Sequence, residues 1–190
     1  MKTSTRGLEA CSLSVERGDD VVFEDLSFVC PPGTITHLKG ENGSGKTTLL
    51  RTLAGLVQPS NGQVFWNGQI LSGPNFIKTE LVFIGHQSGL NAELNALENL
   101  QFIAGLTTPQ NNYDIETALR RVRADKFESQ PIRHLSAGQR QRIALARLLI
   151  QDATLWMLDE PFTAIDTETR RIVEGLLEEH VAKAGVVMLA

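Results

Sequence analysis

Short apolar runs separated by helical patterns organise this chain of 190 residues. Two runs with alternating apolar positions, 8–15 and 21–29, predict a pair of strands, because Gly18 and the two aspartates after it form a turn signal. Further apolar runs predict short strands at 34–39, 63–66, 81–85, 154–158 and 186–190, with a turn at Asn61-Gly62 before the second of these.

Apolar residues at helical spacing predict helices between these strands, at 46–56, 139–150 and 167–183. A segment of about 88–135 is predicted to be mostly helical, since Leu94, Leu97, Leu100 and Ile103 share one helix face. Short apolar strands that alternate with helices indicate a parallel sheet covered by helices on both faces. The fold class is therefore α/β, a mostly parallel sheet with flanking helices, plus an antiparallel β part and a helical subdomain.

Composition narrows the choice of partners. Eighteen Lys and Arg against 22 Asp and Glu give a net charge of −4, which argues against nucleic-acid binding, because that function favours a basic surface. The two cysteines, Cys11 and Cys30, lack metal-ligand spacing and are interpreted as core residues of a reducing compartment. No apolar run approaches the roughly 18 residues of a membrane span, so any membrane process would be served through a partner.

A glycine-rich loop follows the strand at 34–39 and matches the pattern G-x-x-x-x-G-K-[ST]. In such a loop, backbone N–H groups and the N-terminus of the next helix surround phosphate groups, and glycine permits their close approach. Lys46 is expected to reach the β and γ phosphates, and the Thr47 hydroxyl to bind Mg²⁺. A Rossmann loop does not fit, because G-x-G-x-x-G is absent. The predicted ATP-binding residues are Gly40, Glu41, Asn42, Gly43, Ser44, Gly45, Lys46, Thr47 and Thr48.

The apolar strand predicted at 154–158 ends in two acids, Asp159 and Glu160, before Pro161. Acids at the carboxyl end of a buried parallel strand lie at the ligand crevice of the sheet. Asp159 is predicted to hold Mg²⁺ through a water molecule, and Glu160 to polarise the attacking water. Taken alone, these carboxylates would be interpreted as a solvated turn, but the phosphate loop upstream favours catalysis.

A third motif precedes the helix at 139–150. From the residues alone, Ser136 would cap this helix, and the exposed N–H groups would form a second anion site. The motif also resembles the LSGGQ signature of ABC ATPases, with Ala137 in place of a glycine, and its order between the other two motifs fits that family. Its residues are Leu135, Ser136, Ala137, Gly138 and Gln139.

The resemblance to ABC ATPases implies a head-to-tail homodimer, in which the signature of one subunit contacts the ATP bound by the other. Gln87 resembles the Q-loop glutamine, which implies contact with Mg²⁺ and with the attacking water. Asp166 resembles the D-loop aspartate, which implies a place at the dimer interface. His86, beside Gln87, is a candidate for a role near the Q-loop, with a structural role as the alternative.

The sequence departs from the ABC pattern at two places. The family has a histidine just after the last core strand, whereas this sequence ends at Ala190, so we expect one domain, 1–190, truncated at its C-terminus. The family often stacks an aromatic side chain on adenine, but Arg17 falls near that place and Phe23 is the nearest aromatic residue.

A narrower resemblance extends over 8–190 and rests on the runs at 84–90, 97–102 and 153–166. These runs resemble the CcmA family of the cytochrome c maturation system, a haem exporter by name. The resemblance implies a haem-transporting ATPase with Mg²⁺ as cofactor, peripheral on the cytoplasmic face of the inner membrane and paired with an integral CcmB-like subunit. It would power haem export or release of a haem-loaded chaperone. The alternatives are the ATPase of another ABC exporter and a soluble ABC-type ATPase.

Overall fold

The computed structural model describes residues 7–18, 20–71, 79–107 and 114–190. Asp19 of the predicted turn and the stretch 108–113 of the predicted helical segment lie outside the described residues. The strands are β1 (Leu8–Arg17), β2 (Asp20–Cys30), β3 (Thr34–His37), β4 (Asn61–Trp66), β5 (Gln69–Ile70), β6 (Leu81–Ile84), β7 (Leu155–Leu158) and β8 (Val186–Leu189). The helices are α1 (Lys46–Leu53), α2 (Ala96–Thr107), α3 (Ile115–Arg121), α4 (Ala137–Ile150) and α5 (Thr167–Ala182).

An antiparallel sheet has the order β2-β1-β4-β5. The predicted turn at Asn61-Gly62 is wrong, because both residues belong to β4. Gly62 lies opposite an irregularity of β1 between Cys11 and Ser14, where a Cβ atom would come within 2.3 Å of the Ser12 carbonyl oxygen. This glycine is therefore required by close approach of two strands and not by a reversal of the chain.

A parallel sheet has the order β3-β8-β7-β6. All four residues of β7 and of β8 are buried, as expected for central strands covered on both faces. The strand predicted at 34–39 was expected to be buried, but β3 is shorter and more exposed. It ends at His37 and leaves Ile35 42% exposed. The reason is position, since β3 is an edge strand of this sheet in the described part of the chain.

Local capping makes α1 end and α4 begin at residues other than those predicted. Helix α1 ends at Leu53 instead of residue 56, because Gly55 takes a left-handed φ of 72° that stops the helix. Helix α4 begins at Ala137, two residues before its predicted start, because Ser136 caps it. The predicted helical segment contains α2, α3 and single turns of 3₁₀ helix at Asp125–Phe127 and Ile132–His134.

Alternate residues of the parallel strands enter two separate cores. Trp156 and Leu158 pack with the helices α2 to α5 on one face, whereas Leu155 and Met157 pack with α1 and the antiparallel sheet on the other. The predicted fold class is confirmed by this arrangement. In the part of the chain that the structure describes, no helix is long and apolar enough to cross a membrane.

Candidate functional site

The glycine-rich loop joins β3 to α1 at the carboxyl edge of the parallel sheet. Gly45 has a φ of 90°, and a Cβ atom on it would lie 2.7 Å from Cγ1 of Val22, so both conformation and space demand glycine there. The ammonium of Lys46 donates hydrogen bonds to the carbonyl oxygens of Gly40 and Glu41, each at 2.8 Å. A positive charge and the N-terminus of α1 thus lie together at this loop, which suits an anion.

Thr47 and Asp159 meet although 112 positions separate them in the chain. The Thr47 hydroxyl donates a 2.9 Å hydrogen bond to the Asp159 carboxylate, which is 3% exposed. The N–H of Asp159 in turn donates to the Ile84 carbonyl oxygen at 2.8 Å, so pairing of β7 with β6 fixes its position. A hydroxyl beside a carboxylate is a set of hard oxygen donors, and this pair fits the preference of Mg²⁺.

Glu160 follows directly and has a rigid backbone. Its φ of 52° is left-handed, its N–H donates to the Ala190 carbonyl oxygen at 2.9 Å, and its carbonyl accepts from the Thr163 N–H at 3.1 Å. Its carboxylate is 49% exposed and faces the Thr163 hydroxyl at 3.3 Å and Nδ1 of His86 at 3.7 Å. Backbone of this kind is frequent at functional sites, and the catalytic role of Glu160 stays a prediction.

Gln87 lies at an open cavity of about 500 Å³ between the end of β7 and the start of α4. Asp159 and Glu160 line one side, and Ala137 of the signature lines the other. Among the described residues, no part of the phosphate loop lines this cavity. The structure therefore gathers Lys46, Thr47, Asp159 and Glu160 at one edge of the sheet but does not set the signature against the phosphate loop of the same chain.

The signature caps helix α4, as predicted. The Ser136 hydroxyl accepts from the N–H of Gln139 at 3.2 Å, and the Gln139 side chain accepts from the N–H of Ser136 at 2.8 Å, which is a reciprocal capping box. Leu135 is buried and anchors the motif, whereas Ser136 and Ala137 are exposed. A side chain at position 137 is therefore tolerated, which explains the departure from a glycine there.

Replacement of Gly138 by alanine is expected to lower the free energy of unfolding by about 1–3 kcal/mol, since overpacking of a tight contact costs this much. A Cβ atom on Gly138 would lie 2.4 Å from the Ala164 carbonyl oxygen, so the loop before α5 would have to move. The matched control is Ala137→Gly, at the exposed neighbouring position, which should change stability by under about 1 kcal/mol. Urea unfolding of the two variants checks the prediction, and equal effects would contradict it.

Asp166 caps helix α5 and also pairs with α4. Its carboxylate accepts from the Thr169 N–H at 2.7 Å and forms an ion pair with Arg142, which also donates to the Arg123 carbonyl oxygen at 3.2 Å. The hydrogen bond from the Thr169 N–H and the charge of Arg142 lower the pKa of Asp166. No local pattern in the sequence indicates this link between Arg142 and Asp166. The interface role of Asp166 stays a prediction.

Two apolar residues lie beside the phosphate loop: Phe23, which the sequence offered as the nearest aromatic residue, and Val22, which it did not indicate. Val22 contacts Gly45, and the ring of Phe23 lies 3.7 Å from the place of a Cβ atom on that glycine. Arg17 lies opposite Asp20 in the register of the two strands, at the exposed end of the same hairpin. The β1–β2 hairpin therefore presents an apolar wall next to the loop, and only packing between separate elements reveals it.

Comparison with known proteins identifies relatives over nearly the whole chain. Residues 23–163 match the family model described as ABC transporter. The chain is 41% identical to the cytochrome c biogenesis ATP-binding export protein CcmA of Vibrio parahaemolyticus, over 96% of this chain and 90% of that protein. It is 45% identical to the protein of the same name from Methylococcus capsulatus, over 91% of this chain and 84% of that protein.

Solved structures agree on the fold. An ATP-binding subunit of an ABC transporter superposes with a TM-score of 0.86 at 28% identity, over 96% of this chain and 78% of that one. The dimeric ABC transporter cassette MJ0796 superposes with a TM-score of 0.85 at 22% identity, over 96% of this chain and 86% of that one.

Proposed function

The chain belongs to the ABC transporter family of ATP-binding subunits, and from this membership we propose that it hydrolyses ATP to power cytochrome c biogenesis. The observation that carries the proposal is identity above 40% to CcmA proteins over more than 90% of this chain. ATPase motifs shared by all ABC proteins occupy a small part of that length. Likeness outside them therefore favours this system over other exporters.

Each residue at the sheet edge would have a separate role in ATP hydrolysis. The phosphate loop would bind the phosphates through its N–H groups, and Lys46 would neutralise charge that develops on them. Glu160 would orient the attacking water and accept its proton. The oxygens of Thr47 and Asp159 fit Mg²⁺, with Gln87 as a further proposed ligand, and the ion when bound would neutralise charge on the phosphate oxygens.

The functional unit would be a homodimer with two sandwiched ATP molecules. In one chain the signature lies across a cavity from Glu160, away from the phosphate loop. Ser136 and Ala137 are exposed at the N-terminus of α4, where the helix dipole favours an anion. A second copy packed head to tail would bring this anion site to the ATP held by the first. The solved cassette MJ0796, which has the same fold, is itself dimeric.

An apolar groove of about 420 Å³ supports docking to a membrane subunit. Phe102 and Leu106 of α2 line it and are 64% and 55% exposed, which is costly for a surface without a partner. The segment 87–89 lines both this groove and the cavity at Glu160. We propose that an integral CcmB-like subunit occupies the groove and places the chain at the cytoplasmic face of the inner membrane. Haem or a haem-loaded chaperone would be the species moved or released.

Deletion of the gene tests the proposal through covalent haem in c-type cytochromes, read by haem staining of a denaturing gel. All haem-stained bands should disappear, the wild-type gene should restore them, and Lys46→Ala should not. Unchanged bands would refute the role in cytochrome c biogenesis and favour a different ABC exporter, while the ATPase assignment would stand.

A groove variant separates docking from ATP binding in the same assay. Phe102→Glu should bind ATP normally but fail to restore the haem-stained bands, because a charge cannot enter an apolar contact without a partner. The matched control is Leu56→Glu, since Leu56 is 51% exposed and does not line the groove. Restoration by both variants would exclude the groove as the docking surface.

A further inference from the structure

Paired strand ends bring His86 near Glu160. Ile84 of β6 pairs with Leu158 of β7 in a parallel ladder, and the N–H of Asp159 continues it by donating to the Ile84 carbonyl oxygen. Both strands end at this point, at Ile84 and Leu158, and the chain continues for two residues beyond each end, to His86 and to Glu160. The paired strand ends therefore bring the segment that carries His86 and the turn that carries Glu160 to the same edge of the sheet.

The contact itself is close but not yet a hydrogen bond. Nδ1 of His86 lies 3.7 Å from Oε2 of Glu160, and the side chains are 72% and 49% exposed. Contacts of catalytic groups are often long before the substrate binds and shorten when it does. A contact this exposed contributes little to folding stability. The contact therefore matters for the geometry of the carboxylate more than for folding stability.

Glu160 needs such a partner because its backbone is fixed and its carboxylate is not. The backbone is held by hydrogen bonds to Ala190 and Thr163, whereas the carboxylate accepts, from the residues that the structure describes, one weak bond, from the Thr163 hydroxyl at 3.3 Å. A general base must keep one oxygen aimed at the water it activates, and small displacements cost much of its effect. The backbone next to His86 is itself constrained, because Gly85 is buried and a Cβ atom there would lie 3.0 Å from the Phe83 ring.

We propose that His86 is a positioning residue for Glu160. The N–H at Nδ1 of the imidazole holds Oε2, so that Oε1 of the same carboxylate faces the attacking water. This inference rests on the proposed role of Glu160 as the base of ATP hydrolysis. His86 itself touches neither the water nor the phosphate, and its contribution is made through the carboxylate.

Amide substitutions test which nitrogen matters, by steady-state ATP hydrolysis of the full chain. The amide nitrogen of asparagine takes the place of Nδ1, and that of glutamine takes the place of Nε2. His86→Ala and His86→Gln should lower kcat roughly tenfold, a fraction of the full effect of a general base, with KM for ATP within about twofold of wild type. His86→Asn should restore kcat to within about threefold of wild type. The thermal midpoint should be the same in all of them, because the contact is exposed.

The outcomes separate this inference from the function beneath it. In a Glu160→Gln background, addition of His86→Ala should not lower the residual single-turnover rate further, because His86 acts through that carboxylate. A kcat for His86→Ala within twofold of wild type, an equal loss in the asparagine and alanine variants, or a raised KM alone would overturn the positioning role. Full turnover by Glu160→Gln alone would instead refute the catalytic base itself.

Discussion

Glu160→Gln is expected to reduce ATP turnover by at least about a hundredfold while ATP binding is retained, since a general base contributes roughly 10²–10⁴ in rate. Glutamine preserves the size of the side chain and the hydrogen bond from the Thr163 hydroxyl, but it cannot accept the proton of the attacking water. The left-handed backbone at this position is held by main-chain bonds and should be unaffected. Phosphate release measures turnover, and titration with a fluorescent ATP analogue measures binding.

The matched control is Glu178→Gln, which removes one negative charge from an exposed position on α5, away from the sheet edge. This variant should hydrolyse ATP at the wild-type rate. Undiminished turnover in Glu160→Gln would remove the catalytic role from this residue. Loss of binding together with turnover would show that the carboxylate supports the nucleotide site and not the chemistry.

The elements that could be predicted from the sequence are those specified by local rules. The phosphate loop was recognisable because its glycines, lysine and threonine act within eight consecutive positions. The apolar runs of β7 and β8 predicted buried strands, which they are. The turn predicted at Asn61-Gly62 was wrong because a dipeptide that favours a turn also permits two strands to approach closely. Only the partner strand decides between the two outcomes.

Some contacts between distant elements could be predicted from the sequence, and others could not. The approach of Thr47 to Asp159 follows from a general rule, since the loop and the acid both lie at carboxyl ends of parallel strands. The ion pair of Arg142 with Asp166 does not, because it depends on how α4 packs beside the start of α5. His86 lies between these cases, since the pairing of β6 with β7 brings its segment to the same edge as Glu160, whereas the contact itself depends on the turns after the two strands.

Lys46→Ala is expected to weaken ATP binding roughly 10- to 100-fold, because hydrogen bonds to a charged group are worth about 1.5–3 kcal/mol. In the structure the ammonium is held by the carbonyl oxygens of Gly40 and Glu41, both in an exposed loop. Exchange of these neutral acceptors for phosphate oxygens would gain charge pairing without moving the loop. The thermal midpoint of the variant without nucleotide should therefore stay close to that of wild type, whereas its rise on addition of ATP should be lost.

Lys39→Ala distinguishes a specific contact from the general field of a positive charge. Lys39 is exposed and immediately precedes the loop, so its removal changes the net charge by the same amount without altering the phosphate loop itself. The dissociation constant of the Lys39→Ala variant for ATP should stay within about threefold of wild type at physiological salt, where screening limits the effect of exposed charges. Equal weakening by both variants would mean that Lys46 acts only as a diffuse charge. A large loss confined to Lys46→Ala would support direct contact between its ammonium and the phosphates.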